Sequence, residues 1–448
     1  MLGDKHSDVQ ITAINQEIDK LLAEQKDVEE GIRANSPSYA ALTQPQPLGT
    51  KEAQQLLDED TLLLAYSLGQ ERSYMFALTR DSLDAYPLPK RSEIEAAARL
   101  AYEELSVNNP AAGHQSTVAL SRTLLGAVAG RLGKKRLVIV ADGALQYIPF
   151  GALRTPQGLP LIAEHEIVNL PSASTLAVLR KETAARKPAP MQVAVLADPV
   201  FDASDERLKP AAVNDPQKKD PPQNENSTAA TADDSATDLL TRSAADMGMT
   251  TKGVIYLPRL LSTRQEAKSI LAAAAAGQSL QALDFDASRA TATSPALAQY
   301  RIVHFATHGL LNSTHPELSG LVLSLVDQKG KPQNGFLGLQ DIYNLNLPAD
   351  LVVLSACETG LGQEIQGEGL VGMTRAFMYA GAPRVVASLW RVPDRATAEL
   401  MKQFYAGMLG EGLRPAAALR KAQLTLSKEK RWSAPYYWAG FTLQGEWK

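Results

Sequence analysis

The last third of the chain alternates short, continuously apolar runs with helical patterns, and this alternation restricts the fold more than any other feature. Runs at 301–307 (Arg-Ile-Val-His-Phe-Ala-Thr), 351–356 (Leu-Val-Val-Leu-Ser-Ala) and 384–390 read as strands. Patterns at about 369–380, 394–409 and 414–428 read as helices. A strand that is apolar at nearly every position needs cover on both faces. Strands of that kind alternating with helices build a mainly parallel sheet flanked by helices, an α/β fold. Two earlier runs, 136–141 and 192–197, are strands of the same kind.

Upstream the pattern changes. Segments 61–67, 73–79 and 83–88, separated by Gly69-Gln70 and Arg80-Asp81, read as a β-meander. Helical patterns follow at 91–107 and 115–131. At the N-terminal end, residues 9–34 read as a helix: Ile11, Ile14, Ile18, Leu21, Val28 and Ile32 form a narrow apolar seam, suited to a helix hairpin, to a coiled-coil contact with a helical partner, or equally to packing on its own domain. Residues 203–252 contain no aromatic side chain and are rich in Pro, Asn, Asp and Lys. Such a stretch buries too little apolar surface to offset chain entropy, so it reads as a disordered insertion. Thr263-Arg-Gln-Glu266 has capping-box spacing and predicts a helix running to about 275. The expected divisions are a helical segment (1–45), an N-terminal α/β lobe (46–190) and a C-terminal lobe (191–448).

Two of the predicted strands run straight into chemically active side chains. The strand at 301–307 leads into His308-Gly309, and the strand at 351–356 leads into Cys357. In a parallel sheet the carboxyl ends of the strands share one edge, where ligands bind. Cys357 is the only cysteine, which excludes disulfides within the chain and any CxxC metal or redox site. A lone cysteine is usually a small buried hydrophobe; a histidine at the neighbouring strand end gives it a different use. An imidazole takes the thiol proton during attack and later protonates the leaving amine. The backbone N–H groups of Gly309 and Cys357 are the candidate donors to an oxyanion. No Asp or Asn is placed as a third member.

The remaining polar features are weaker. His304 lies deeper in its strand and reads as a core histidine, and His315 reads as a loop histidine. Gly367-Glu-Gly-Leu-Val-Gly372 matches GxGxxG but stands too far beyond its strand for a dinucleotide site. No cofactor or metal is expected. Lys+Arg 45 nearly balances Asp+Glu 49, so no strong field draws the chain to nucleic acid or an anionic membrane. No apolar run reaches the roughly 18 residues of a membrane span. The polar N-terminus lacks a signal-peptide core, and a cytoplasmic protein is expected.

Several strings resemble the CHAT domain, a module of the caspase-like clan of cysteine peptidases often attached to tetratricopeptide repeats. They are His-Phe-Ala-Thr-His-Gly (304–309), Leu-Ser-Ala-Cys-Glu-Thr-Gly (354–360), Gly-Glu-Gly-Leu-Val-Gly-Met-Thr-Arg-Ala-Phe (367–377) and Ala-Ser-Leu-Trp-Arg-Val-Pro-Asp (387–394). Weaker matches stand at 141–150, 170–174 and 437–441. The resemblance implies a catalytic pair at His308 and Cys357, a degenerate N-terminal pseudo-caspase lobe, and limited proteolysis of a protein partner in bacterial defence or cell-death signalling. It also implies a tetratricopeptide-repeat or other helical partner for the seam at 9–34, and that Ser388 and Trp390 line the substrate cleft, with Trp390 equally suited to packing. Asp394 either accepts a basic P1 side chain or caps the following helix, the reading its sequence context favours; Glu358 is similarly ambiguous. A catalytically silent interaction module is the alternative.

Overall fold

A computed structural model of the chain describes residues 46–108, 114–155, 157–208, 234–246, 250–251, 254–255, 257–312, 315, 318–355 and 368–448. The chain divides into Met1–Pro47 and Leu48–Lys448. The seam at 9–34 lies outside the described residues, as do 209–233 of the predicted insertion, Cys357 and Glu358.

The strands, in chain order, are β1 (Thr61–Ser67), β2 (Ser73–Leu78), β3 (Leu83–Leu88), β4 (Arg136–Val140), β5 (Ile167–Asn169), β6 (Met191–Pro199), β7 (Thr250–Thr251) and β8 (Val254–Ile255). They continue with β9 (Ser279–Asp284), β10 (Tyr300–Ala306), β11 (His308–Leu310), β12 (Gly320–Val322), β13 (Phe336–Gly338), β14 (Leu351–Leu354), β15 (Arg384–Ser388) and β16 (Phe441–Gly445). Eleven of them form one sheet in the order β3-β2-β1-β4-β5-β16-β15-β14-β10-β6-β9. The sheet contains two parallel blocks. One is β1, β4 and β5; the other is β15, β14, β10, β6 and β9. Strand β16 joins them, parallel to β5 and antiparallel to β15. The blocks therefore run in opposite directions, and their carboxyl ends open on opposite edges of the sheet.

The continuous apolar runs behave as double-faced cover requires: β14 is buried at all four positions and β6 at its last seven. Along β10, alternate residues serve opposite faces. Phe305 packs on Phe377 of the helix Glu368–Tyr379, with ring centroids 5.7 Å apart. His304 turns the other way, to Tyr405 of the helix Asp394–Tyr405 and Glu266 of the helix Leu261–Ala273. The meander ends in β3, whose burial alternates; its Pro87 is tolerated because the strand forms the sheet edge.

Three expectations are corrected. The strand carrying His308 ends at Ala306; Thr307 bends the chain, and His308 opens β11, the edge of a small antiparallel sheet β11-β12-β13. The helix predicted to start at a Thr263 cap starts at Leu261, with Leu260 at the N-cap position and no side-chain cap. Thr263 Oγ1 donates instead to the Leu260 carbonyl, and Glu266 is drawn inward to His304. The insertion also contains a helix, Asp234–Asp246. Its Leu240, Ser243 and Ala244 are buried at i, i+3, i+4 spacing, and Leu240 packs with Leu310, Val322 and Phe336. Composition averaged over the fifty residues 203–252 hid this short apolar face.

Several carboxylates are held by arginines, which sets the acid limit of stability. Burial alone would raise the Glu446 carboxyl, but hydrogen bonds from Arg180 and the Lys448 backbone, with the charges of Arg180 and Arg384, hold it below its ordinary range. Burial of Asp284 is outweighed in the same way by Arg264 and Arg207, and the Arg207 hydrogen bond holds Asp205 low. Each folded pKa lies below its unfolded value. The stabilisation is complete above about pH 4 and is lost as pH falls through the folded values. The urea midpoint is expected to decline steadily below about pH 4; a midpoint that stays level there would contradict this.

Candidate active site

His308 lies just beyond the carboxyl end of β10 and is buried, with 1% exposure. Its ring packs on Phe201, from the segment after β6, with centroids 5.0 Å apart. Its Nε2 is 2.7 Å from the carbonyl oxygen of Pro258. A carbonyl oxygen only accepts, so Nε2 carries the proton and, in the neutral ring, Nδ1 is the basic nitrogen. Gly309 follows in β11, opposite Leu321.

A small cleft opens beside His308, lined among others by Thr307, Glu266, Ser355, Ser388, Trp390 and Asp394. Strand pairing brings these residues together: Ser355 continues β14 and its N–H donates to the Phe305 carbonyl, while Ser388 ends β15. Cys357, two residues after Ser355, lies outside the described residues, as does Glu358. Ser388 Oγ donates to the Trp390 carbonyl. Trp390 both lines the cleft and packs internally: Nε1 donates to the Tyr436 carbonyl at 3.0 Å, and its ring meets Tyr102 edge-on at 5.8 Å. Asp394 does not cap its helix. Pro393 holds the N-cap position and Asp394 is the first helical residue, its charge favourable in the first turn. The sequence context had favoured a cap; Asp394 enters the helix instead as its first residue.

The cleft wall depends on a close approach. A Cβ on Gly440 would stand 2.8 Å from Val392 Cγ2 and 3.1 Å from Trp390. Gly440→Ala is expected to cost about 1–3 kcal/mol through overpacking, read as a lowered midpoint in denaturant; an unchanged midpoint would show that the wall yields freely.

Beneath the cleft, His304 has the core role expected of it. It is fully buried, its Nδ1 is 2.9 Å from the Tyr405 hydroxyl, and its Nε2 is 2.9 Å from Glu266 Oε1. Burial, with the nearby Glu266 charge, pushes the Tyr405 hydroxyl well above its ordinary range, so it remains a donor. His315 sits in an exposed loop, its N–H bonded to Asn312 Oδ1. The sequence reading missed Glu266 and Pro258. Glu266 had been read as part of a cap, and a backbone carbonyl carries no residue-type signal.

The family model described as CHAT domain matches residues 114–446. Tetratricopeptide repeat protein 28 of Mus musculus is 41% identical over 105 residues, covering 23% of this chain and 4% of that protein. The Homo sapiens protein of the same name is 33% identical over 180 residues, covering 34% of this chain and 7% of that protein. The chain thus corresponds to a small part of these relatives, which are mammalian where the motifs had pointed to bacteria. Among solved structures, the Saccharomyces cerevisiae separase–securin complex aligns with a TM-score of 0.50 at 10% identity, covering 88% of this chain and 30% of that chain. The fold is caspase-like, a large and mostly parallel sheet flanked by helices. No described helix is long and apolar enough to cross a membrane.

Proposed function

The chain belongs to the CHAT domain family, and on that footing we propose that it is a cysteine endopeptidase that cleaves a protein partner through His308 and Cys357. The observation that carries this reading is the tie between His308 Nε2 and the Pro258 carbonyl, beside a cleft lined by Ser355, two residues before Cys357.

In the proposed reaction the Cys357 thiol gives its proton to His308 Nδ1, and the thiolate attacks the scissile carbonyl. A free thiol has a pKa of about 8.5, so the base is needed at neutral pH. The N–H groups of Gly309 and Cys357 receive the oxyanion; Gly309 offers no side chain to block the approach. Collapse of the tetrahedral intermediate breaks the C–N bond. The proton on Nδ1 passes to the leaving amine, and a thioester remains. Water, deprotonated by Nδ1, attacks the thioester and regenerates the thiol.

Ser388, Trp390 and Asp394 would border the substrate, with Glu358, the residue after Cys357. The division into a pseudo-caspase lobe (46–190) and a catalytic lobe (191–448) belongs to this proposal. It separates the two oppositely running blocks and assigns β16 to the catalytic one. The relatives are named for tetratricopeptide repeats, and a helical partner binding at 9–34 would fit that setting.

A peptide-library cleavage profile with Cys357→Ala as control, run beside labelling by a thiol-directed peptide probe, tests the reading. Cleavage that disappears in the control, with labelling of Cys357, supports it. Partner binding without cleavage or label would favour the interaction module.

A further inference from the structure

We propose that Asp198 is a positioning residue for His308, acting through Arg259 and the Pro258 carbonyl; this rests on the reading of His308 as the general base. Asp198 is the penultimate residue of β6, on the sheet edge where His308 stands. Its side chain is completely buried. A carboxylate in that setting is retained only when it is paired, and three guanidinium groups converge on it. Arg259 grips it with two prongs, Nε to Oδ1 and a terminal nitrogen to Oδ2, each 2.9 Å. Arg264 reaches Oδ2 at 2.7 Å, and Arg207 stands 3.1 Å from Oδ1. The backbone at Asp198 has φ +49°, a left-handed conformation that a side chain makes costly. Such a conformation persists where its surroundings hold it in place.

Arg259 directly follows Pro258. Residues 257–260 belong to no strand or helix, so no ladder fixes the direction of the Pro258 carbonyl. The two-pronged grip supplies that constraint, because a planar guanidinium held at both prongs cannot rotate. Arg264, in the first turns of the helix that follows, clamps the same carboxylate and ties the other end of the segment. The carbonyl thus held meets His308 Nε2 at 2.7 Å. If the segment drifts, Nε2 loses its acceptor and the proton redistributes to Nδ1. An imidazole protonated at Nδ1 cannot take a proton there from a thiol.

The test uses the full chain with ¹⁵N-labelled histidine, and reads the His308 tautomer by NMR beside kcat and KM for a cleaved peptide. In Asp198→Asn the Nδ1–H tautomer of His308 is expected to gain population. A misplacement of this kind lowers kcat by about a hundredfold, with KM changed less than about threefold. Arg259→Lys, which keeps the charge and loses one prong, should shift both readouts part of the way and carries the test if Asp198→Asn does not fold. Arg207→Gln touches the same carboxylate from outside 257–260 and should leave the tautomer as in the parent. A parent-like tautomer and kcat in both Asp198→Asn and Arg259→Lys would overturn the inference, as would an equal tautomer shift in Arg207→Gln. Failure of the peptidase reading looks different: the parent would cleave no better than His308→Ala, while the tautomer measurement still decides the role of Asp198.

Discussion

Alanine at His308 is expected to lower kcat/KM by a thousandfold or more, in the upper part of the roughly 10²–10⁴ range of general acid–base catalysis. The reason is that one nitrogen serves several proton transfers: it takes the thiol proton, protonates the leaving amine and deprotonates the water that opens the thioester. His308→Gln separates basicity from position. A glutamine amide can still donate to the Pro258 carbonyl, 2.7 Å from Nε2 in the parent, but it takes no proton. Its activity should match that of His308→Ala. Cys357→Ala should leave only background, because the covalent intermediate cannot form. The two losses should not add: the double variant should be no worse than Cys357→Ala, as residues acting as a unit behave. Full activity in His308→Gln would remove the histidine from the mechanism, and losses that multiply would separate it from the cysteine.

The parallel block behind this site was legible because its strands are apolar at almost every position, and only strands covered on both faces have that composition. Arg301–Thr307 and Leu351–Ala356 were located to within one or two residues of β10 and β14. The sheet elements without that signature were not legible. In β9, Gln281 is exposed and only Ala282 is buried. β16 alternates buried and half-buried positions and borrows its order from neighbours far away in sequence. The same division holds at the site. His308 announces itself by residue type and strand-end position. Pro258 contributes a backbone oxygen, and Asp198 and Arg259 find each other across 61 residues, so neither has a local signal. Glu266 is the instructive error. Its spacing from Thr263 fits a capping box, but the cap exists only if the helix begins at Thr263; the helix begins at Leu261, and the buried carboxylate faces His304 instead, 2.9 Å from Nε2.

Glu446→Ala is expected to destabilise the fold by about 3–5 kcal/mol, the cost of removing one member of a buried ion pair. Glu446 follows β16, the strand that joins the two oppositely running blocks, and its side chain is 6% exposed. Its carboxylate accepts two hydrogen bonds from Arg180, of the helix Ala173–Thr183, and one each from the backbone N–H groups of Trp447 and Lys448, both 2.8 Å. The Arg180 guanidinium also lies 4.7 Å from the Trp447 ring, which is fully buried. Alanine would therefore leave a guanidinium against an aromatic face without its counter-charge, and two backbone donors without an acceptor. Glu446→Gln keeps an acceptor for those donors and loses only the charge, so it should cost about half as much. Because β16 is shared, the loss should not be confined to one half of the sheet. Unfolding followed by a probe near β4 and by a probe near β14 should move together to lower denaturant. Transitions that separate in Glu446→Ala, one midpoint falling and the other staying, would mean that the two blocks do not unfold as one unit through β16.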